Sequence, residues 1–117
     1  MVFGTYDLTV TDTGTIELPT EVAEAIGPDI VLCKGVRGTL ILCPEDRFEG
    51  CLTAMMESDD RDARERKRFA TGGAYATELG PRGEVEIPEN LAWYANLGRN
   101  LILRCLGAHC EITNRAE

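Results

Sequence analysis

Large apolar and polar residues alternate over residues 6–10 (Tyr-Asp-Leu-Thr-Val), the two-residue period of a strand buried on one face. Residues 11–14 (Thr-Asp-Thr-Gly) supply turn chemistry, and alternation resumes over residues 15–18, so this pair is predicted to form a hairpin. Pro19 then opens a short helix, with Val22 and Ile26 four residues apart on one face and Gly27 as its stop. Residues 30–33 and 39–43 are two further strands, separated by Lys34-Gly35-Val36-Arg37-Gly38. The unit reads β-β-α-β-β and ends near Cys43.

The same order returns later in the chain. Residues 75–79 form a strand, 80–83 (Gly-Pro-Arg-Gly) a turn, 84–87 a strand and 88–97 a helix; residues 101–105 and 110–113 are the last pair of strands. Gly14-Thr-Ile-Glu-Leu-Pro19 becomes Gly83-Glu-Val-Glu-Ile-Pro88, an offset of 69 positions that also matches Tyr6 to Tyr75 and Ala23 to Ala92. After the helix the offset grows by about two residues, as an insertion at a helix end requires. A repeated motif inside a repeated order of elements points to duplication.

Two helical stretches lie between the copies. Pro44-Glu45-Asp46 places proline and acids in a first helical turn, and Phe48, Cys51, Leu52, Met55 and Met56 then fall on one apolar stripe that suits a core-facing helix. Residues 58–70 are charged, with Asp59, Asp60 and Asp62 early and Arg66, Lys67 and Arg68 late. The pairs Glu57–Arg61, Asp60–Arg64 and Asp62–Arg66 make this a self-neutralised helix face, with a role for its arginines in subunit or phosphate contacts as the other reading. The predicted organisation is a first module over residues 1–43, a connecting helical pair over 44–73 and a second module over 74–117.

Composition narrows the function. The chain has 117 residues, 44% of them hydrophobic, enough for one domain or two small units sharing a core. A formal charge of -8 disfavours non-specific adhesion to nucleic acid or an anionic membrane, so basic contacts to DNA must be concentrated on one face and multiplied by oligomerisation. No basic, apolar leader opens the sequence and no apolar run approaches the roughly 20 residues of a membrane span, so a cytoplasmic protein is expected. Cys33, Cys43, Cys51, Cys105 and Cys110 are an odd set without CxxC spacing, expected to be reduced and packed as small hydrophobes.

The duplicated β-β-α-β-β unit, with Gly-x-[Ile/Val]-x-[Leu/Ile]-Pro in each copy, resembles the MraZ family of bacterial regulators. Three stretches carry the resemblance: residues 11–19, residues 64–76 (Arg-Glu-Arg-Lys-Arg-Phe-Ala-Thr-Gly-Gly-Ala-Tyr-Ala) and residues 101–112 (Leu-Ile-Leu-Arg-Cys-Leu-Gly-Ala-His-Cys-Glu-Ile). It implies an α+β fold of tandem swapped-hairpin modules of the AbrB/MazE/SpoVT type, related by a pseudo-twofold. It also implies a ring or other closed homo-oligomer on short DNA repeats upstream of cell-wall and division genes, and usually a further helical tail. Family modules carry Asp-x-x-x-Arg in the first hairpin, with the arginine expected to contact DNA. Thr11 and Thr15 occupy those positions in the first copy, and Gly80 and Glu84 in the second.

Threonine keeps a hydroxyl for phosphate but no charge, whereas glutamate is repelled by phosphate. The candidate DNA contacts are therefore Arg82, in the second turn, Thr11 and Thr15, and Lys34 and Arg37 in the later hairpin of the first unit. A chain that keeps the assembly but binds a protein partner instead of DNA is the competing reading. An enzyme is not expected: His109 and Cys110 are strand neighbours that point to opposite faces, and Cys105, His109 and Cys110 lack a fourth zinc ligand. No cofactor, metal, membrane or small-molecule substrate is implied, and the cytoplasmic location becomes nucleoid-associated where DNA is bound.

Overall fold

In the computed structural model, which describes residues 2–55 and 71–115 and their side chains except those of residues 53–55, the two copies are threaded through each other. The first supplies β1 (Val2–Thr9), β2 (Thr15–Glu17), α1 (Thr20–Ile26), β3 (Asp29–Lys34) and β4 (Leu40–Pro44). A short 3-10 turn (Glu45–Arg47) leads into α2 (Phe48–Met55). The second supplies β5 (Tyr75–Glu78), β6 (Glu84–Glu86), α3 (Glu89–Tyr94), β7 (Asn100–Gly107) and β8 (Cys110–Asn114). The predicted charged helix over residues 58–70 and its ion pairs, with Met56, lie outside the described residues.

One correction concerns the first hairpin. The turn at residues 11–14 closes, with the Thr11 N–H donating to the Thr15 carbonyl at 2.9 Å, but no ladder joins β1 to β2. β1 runs antiparallel to β7 along its whole length, from Val2 opposite Gly107 to Thr9 opposite Asn100. β2 pairs with β6 of the other copy, and β5 pairs with β3. Alternation marks which faces are buried but not which strand supplies the partner.

The pairing is pseudo-twofold. The six-stranded sheet runs β1-β7-β8-β4-β3-β5, and exchanging each strand for its counterpart in the other copy returns the same order reversed. The β2–β6 ribbon is centred on Ile16 opposite Val85, residues equivalent in the repeat. Matching bonds flank it: the Leu18 N–H donates to the Gly83 carbonyl and the Ile87 N–H to the Gly14 carbonyl, each at 2.9 Å. Both turn glycines are left-handed, with φ +79° at Gly14 and +80° at Gly83, which explains why both copies keep glycine there.

The helices are shorter than the sequence predicts. Pro19 and Pro88 are extended residues just ahead of α1 and α3, and Asn96 at φ +50° lies past the end of α3. One apolar face, with Ile30, Leu32, Leu40, Leu42, Leu101, Leu103 and Ile112, packs with Ile16, Val85, Val22 of α1 and Leu91 of α3. Side chains buried this completely contribute roughly 1.5–3 kcal/mol each. Val31, Cys33, Ile41 and Cys43 point from β3 and β4 to the opposite face, where Phe48, Cys51 and Leu52 of α2 cover them. All five cysteines are free thiols in buried positions.

Two expectations follow. A Cβ at residue 83 meets the Leu18 carbonyl oxygen at 3.1 Å and the Ala23 methyl at 3.2 Å, whereas at residue 14 its nearest neighbour is the Ile87 carbonyl oxygen at 3.7 Å. Gly14→Ala is therefore expected to cost about 1–2 kcal/mol from its left-handed backbone, and Gly83→Ala more, as urea unfolding midpoints will report. Burial pushes the Cys33 thiol from 9.0 to about 11, and those of Cys43 and Cys110 also upward. The folded chain holds these protons after the unfolded chain has lost them, so their contribution is complete below pH 9 and declines above it, that of Cys33 being lost as pH rises through about 11. Urea midpoints are expected to fall from pH 8.5 to 10.5, and to fall less in Cys33→Ala.

Candidate nucleic-acid interface

The β2–β6 ribbon carries a turn at each end, and the candidate residues divide between them. Ile16 and Val85 face the core, so alternation sends Thr15, Glu17, Glu84 and Glu86 outward. Glu17 and Glu84 are cross-strand partners, as are Thr15 and Glu86. Three of these four outward positions are carboxylates, so the middle of the ribbon repels phosphate.

At the first turn the threonines form a chain of hydroxyls. Thr11 and Thr13 Oγ1 lie 3.0 Å apart, Thr13 and Thr15 Oγ1 3.3 Å apart, and the Thr15 N–H donates to Thr11 Oγ1 at 3.1 Å. Thr11 is exposed and Thr15 half-buried, and the cluster holds its own loop shape. The guanidinium beside this turn belongs to Arg99, whose Nη1 lies 3.4 Å from Asp12 Oδ1. The Val10 N–H donates to the Arg99 carbonyl at 2.8 Å, fixing that backbone against the end of β1. Sequence reasoning missed Arg99, because 87 positions separate it from Asp12 and only the β1–β7 pairing brings them together.

At the second turn Arg82 is exposed, but its own neighbour restrains it. Its N–H donates to Glu84 Oε1, and its Nε lies 3.9 Å from Glu84 Oε2. The residue equivalent to Arg99 here is Pro28, whose carbonyl accepts from the Leu79 N–H at 2.8 Å. The two turns share one backbone arrangement and differ in the cation beside it.

Lys34 and Arg37 lie at the sheet end that carries the first turn. Thr9 opposes Asn100, Leu101 opposes Asn114, Ile112 opposes Leu40 and Leu40 opposes Lys34, a row of strand ends across the sheet. Asp29, near the second turn, is five residues back along β3, about 16 Å away at roughly 3.3 Å per residue. Lys34 Nζ lies 5.4 Å from the centroid of the Tyr94 ring, and the Tyr94 hydroxyl donates to the Gly35 carbonyl. Arg37 is exposed at φ +58°. Arg115 joins this end through its N–H, which donates to the Asn100 carbonyl at 3.0 Å, and its Nη1 lies 3.9 Å from Asp7 Oδ2.

Lys34, Arg37, Arg99 and Arg115 therefore fall at the end of the sheet that carries the first turn, with Arg99 against that turn and Lys34 separated from β1 by three strands. Arg82 is left at the other, where Asp29, Glu45 and Asp46 line one recess. His109 lies in the β7–β8 turn, and among the described residues no group of three or more histidine, cysteine, aspartate or glutamate side chains is placed to hold a metal ion. Among the described residues no helix is long and apolar enough to cross a membrane.

Curated relatives match the sequence over nearly its whole length. The chain is 30% identical to the transcriptional regulator MraZ of Alkaliphilus oremlandii over 120 residues, covering 100% of this chain and 83% of that protein. It is 30% identical to the transcriptional regulator MraZ of Heliobacterium modesticaldum, covering 98% of this chain and 82% of that protein. The protein of the same name from Moorella thermoacetica is also 30% identical, over 100% of this chain. No family model matches the chain.

Exposed ion pairs add little to stability. Arg82→Ala and Arg99→Ala are each expected to shift the unfolding free energy by less than about 0.5 kcal/mol in urea titrations. Effects of these variants on ligand binding then report contacts rather than folding.

Proposed function

Because the chain belongs to the MraZ family, we propose that it is a transcriptional regulator that contacts double-stranded DNA with the sheet end carrying the first turn. The observation that carries this reading is that Lys34, Arg37 and Arg99 fall at the sheet end that carries the first turn, with Arg99 against Asp12 of that turn. Arginine and lysine supply charge to the phosphates and release counterions, while threonine hydroxyls and turn N–H groups fix register on the backbone. Arg99 takes over the guanidinium role that residue 15 lacks, reaching the same turn from the other copy. Arg82 stands at the opposite end, where Asp29, Glu45 and Asp46 line a recess, and makes a weaker secondary contact.

One such end per chain is a small cationic surface on a molecule of charge -8. A ring or other closed homo-oligomer, presenting several ends to repeated sites, raises the effective concentration of each contact and compensates for the missing arginines. The carboxylates Glu17, Glu84 and Glu86 favour a second reading, in which the same assembly holds a basic protein partner and has lost DNA.

A mobility-shift titration separates the two, using duplex carrying the repeats upstream of the protein's own gene at several salt concentrations. Regulator binding is expected to weaken linearly in log salt, with the slope reduced by roughly 0.9 for each phosphate contact removed by Arg37→Ala or Arg99→Ala. Arg82→Ala is expected to change it less. No shift at low salt, from a chain that light scattering shows to be assembled, removes the DNA reading and leaves the partner-binding one.

A further inference from the structure

We propose that Cys105 and Cys110 form a redox-active dithiol, a modification site at which a small hydroperoxide closes a disulfide between β7 and β8. The two residues are direct cross-strand partners, and their sulfurs lie 2.8 Å apart. Their geometry suits a bond. The Leu106 N–H donates to the His109 carbonyl at 2.8 Å, which makes residues 106 and 109 the hydrogen-bonded pair closing the hairpin. Residues 105 and 110 are then a non-hydrogen-bonded pair, in which Cα atoms approach to about 4.5 Å and side chains lie closest. A disulfide accepts Cα separations of about 4.4–6.8 Å, so the bond forms without a change of register.

The remaining thiols are arranged differently. Cys33 opposes Ile41 and Cys43 opposes Val31, so neither faces a cysteine across the sheet. Cys51 projects from α2 and donates to the Ala108 carbonyl at 3.4 Å. The other thiol–thiol contact joins Cys43 to Cys51 between strand and helix.

Access to the pair is narrow. Cys110 is fully buried and Cys105 is 3% exposed. Across β1, however, Cys105 faces Gly4, which has no side chain, and the Tyr6 phenol lies where a Cβ at Gly4 would project. The phenol covers that gap, and the slight exposure of Cys105 against none for Cys110 makes Cys105 the thiol of this pair that a small oxidant meets first. Its sulfur attacks the terminal peroxide oxygen, the O–O bond breaks, and the departing oxygen takes up the thiol proton and leaves as water from hydrogen peroxide or as the alcohol from an organic hydroperoxide, giving a sulfenic acid. The Cys110 sulfur then attacks the Cys105 sulfur, the S–O bond breaks, and water carries away the Cys110 proton. Two thiols are oxidised, and one hydroperoxide is reduced by the same two electrons. Burial pushes both thiols upward, so the thiolate is scarce and the reaction at neutral pH is slow.

The test uses the full chain. After incubation with hydrogen peroxide and its removal by catalase, the protein is unfolded, alkylated with iodoacetamide and digested with trypsin. Arg104 and Arg115 bracket both cysteines on one peptide, residues 105–115, whereas Arg47 separates Cys43 from Cys51. The expected product is that peptide two hydrogens lighter and free of alkyl groups, with Cys33, Cys43 and Cys51 alkylated. Dithiothreitol before alkylation should restore two alkyl groups, and Cys105→Ala should abolish the product. A peptide that remains fully alkylated, one that accumulates sulfinic acid, or a Cys43–Cys51 crosslink that forms first each overturns the proposal.

Discussion

A ladder of three residue pairs, Thr15–Glu86, Ile16–Val85 and Glu17–Glu84, ties one copy of the duplicated unit to the other. Its hydrogen bonds contribute about 0.5–1.5 kcal/mol each, less than burying Ile16 and Val85 at roughly 1.5–3 kcal/mol apiece. The apolar pair therefore dominates, and its register decides the rest. With β2 committed to β6, β1 is free of its sequence neighbour and lies along β7, while β5 lies along β3. Leu40, Ile41 and Leu42 of β4 then meet Ile112, Glu111 and Cys110 of β8, which closes the sheet between the copies. Neither copy holds a complete core alone, since Val22 of α1 and Leu91 of α3 belong to one cluster.

This arrangement separates structural duty from chemical duty. The turn glycines, the apolar alternation and the two prolines serve the backbone, and both copies keep them. Outward-facing residues are less uniform: Glu17 and Glu86 match, whereas Thr15 and Glu84 have diverged. Arg99 and Pro28 occupy the same place beside their turns, yet only Arg99 offers a guanidinium. The Lys34 end is basic, whereas Asp29, Glu45 and Asp46 make the opposite end acidic. A symmetric scaffold thus presents an asymmetric surface, compatible with one dominant contact end per chain and with the acidity of the whole.

Most elements were legible from periodicity, because Leu8, Ile16, Val85 and Leu103 are buried at the positions alternation assigns. The motif Gly-x-[Ile/Val]-x-[Leu/Ile]-Pro led to the fold because each letter answers a local demand of turn, ribbon or helix entry. Strand partners were not legible: local alternation reads the same whether β1 pairs with β2 or with β7. Arg99 was missed for this reason, as its proximity to Asp12 exists only after swapping. Arg82 was visible in sequence, but its restraint by Glu84 emerged with the geometry of the turn. Pairing of Cys105 with Cys110 depends likewise on hairpin register, which spacing alone leaves open.

The interleaved pairing is tested most directly by a double-mutant cycle on Ile16→Ala and Val85→Ala, followed by urea unfolding. Interleaving requires one cooperative transition in every variant and a coupling between the two sites of about 0.5–3 kcal/mol, as expected of side chains in contact. Strictly additive losses with two separate transitions would mean that each copy folds on its own, contradicting the account.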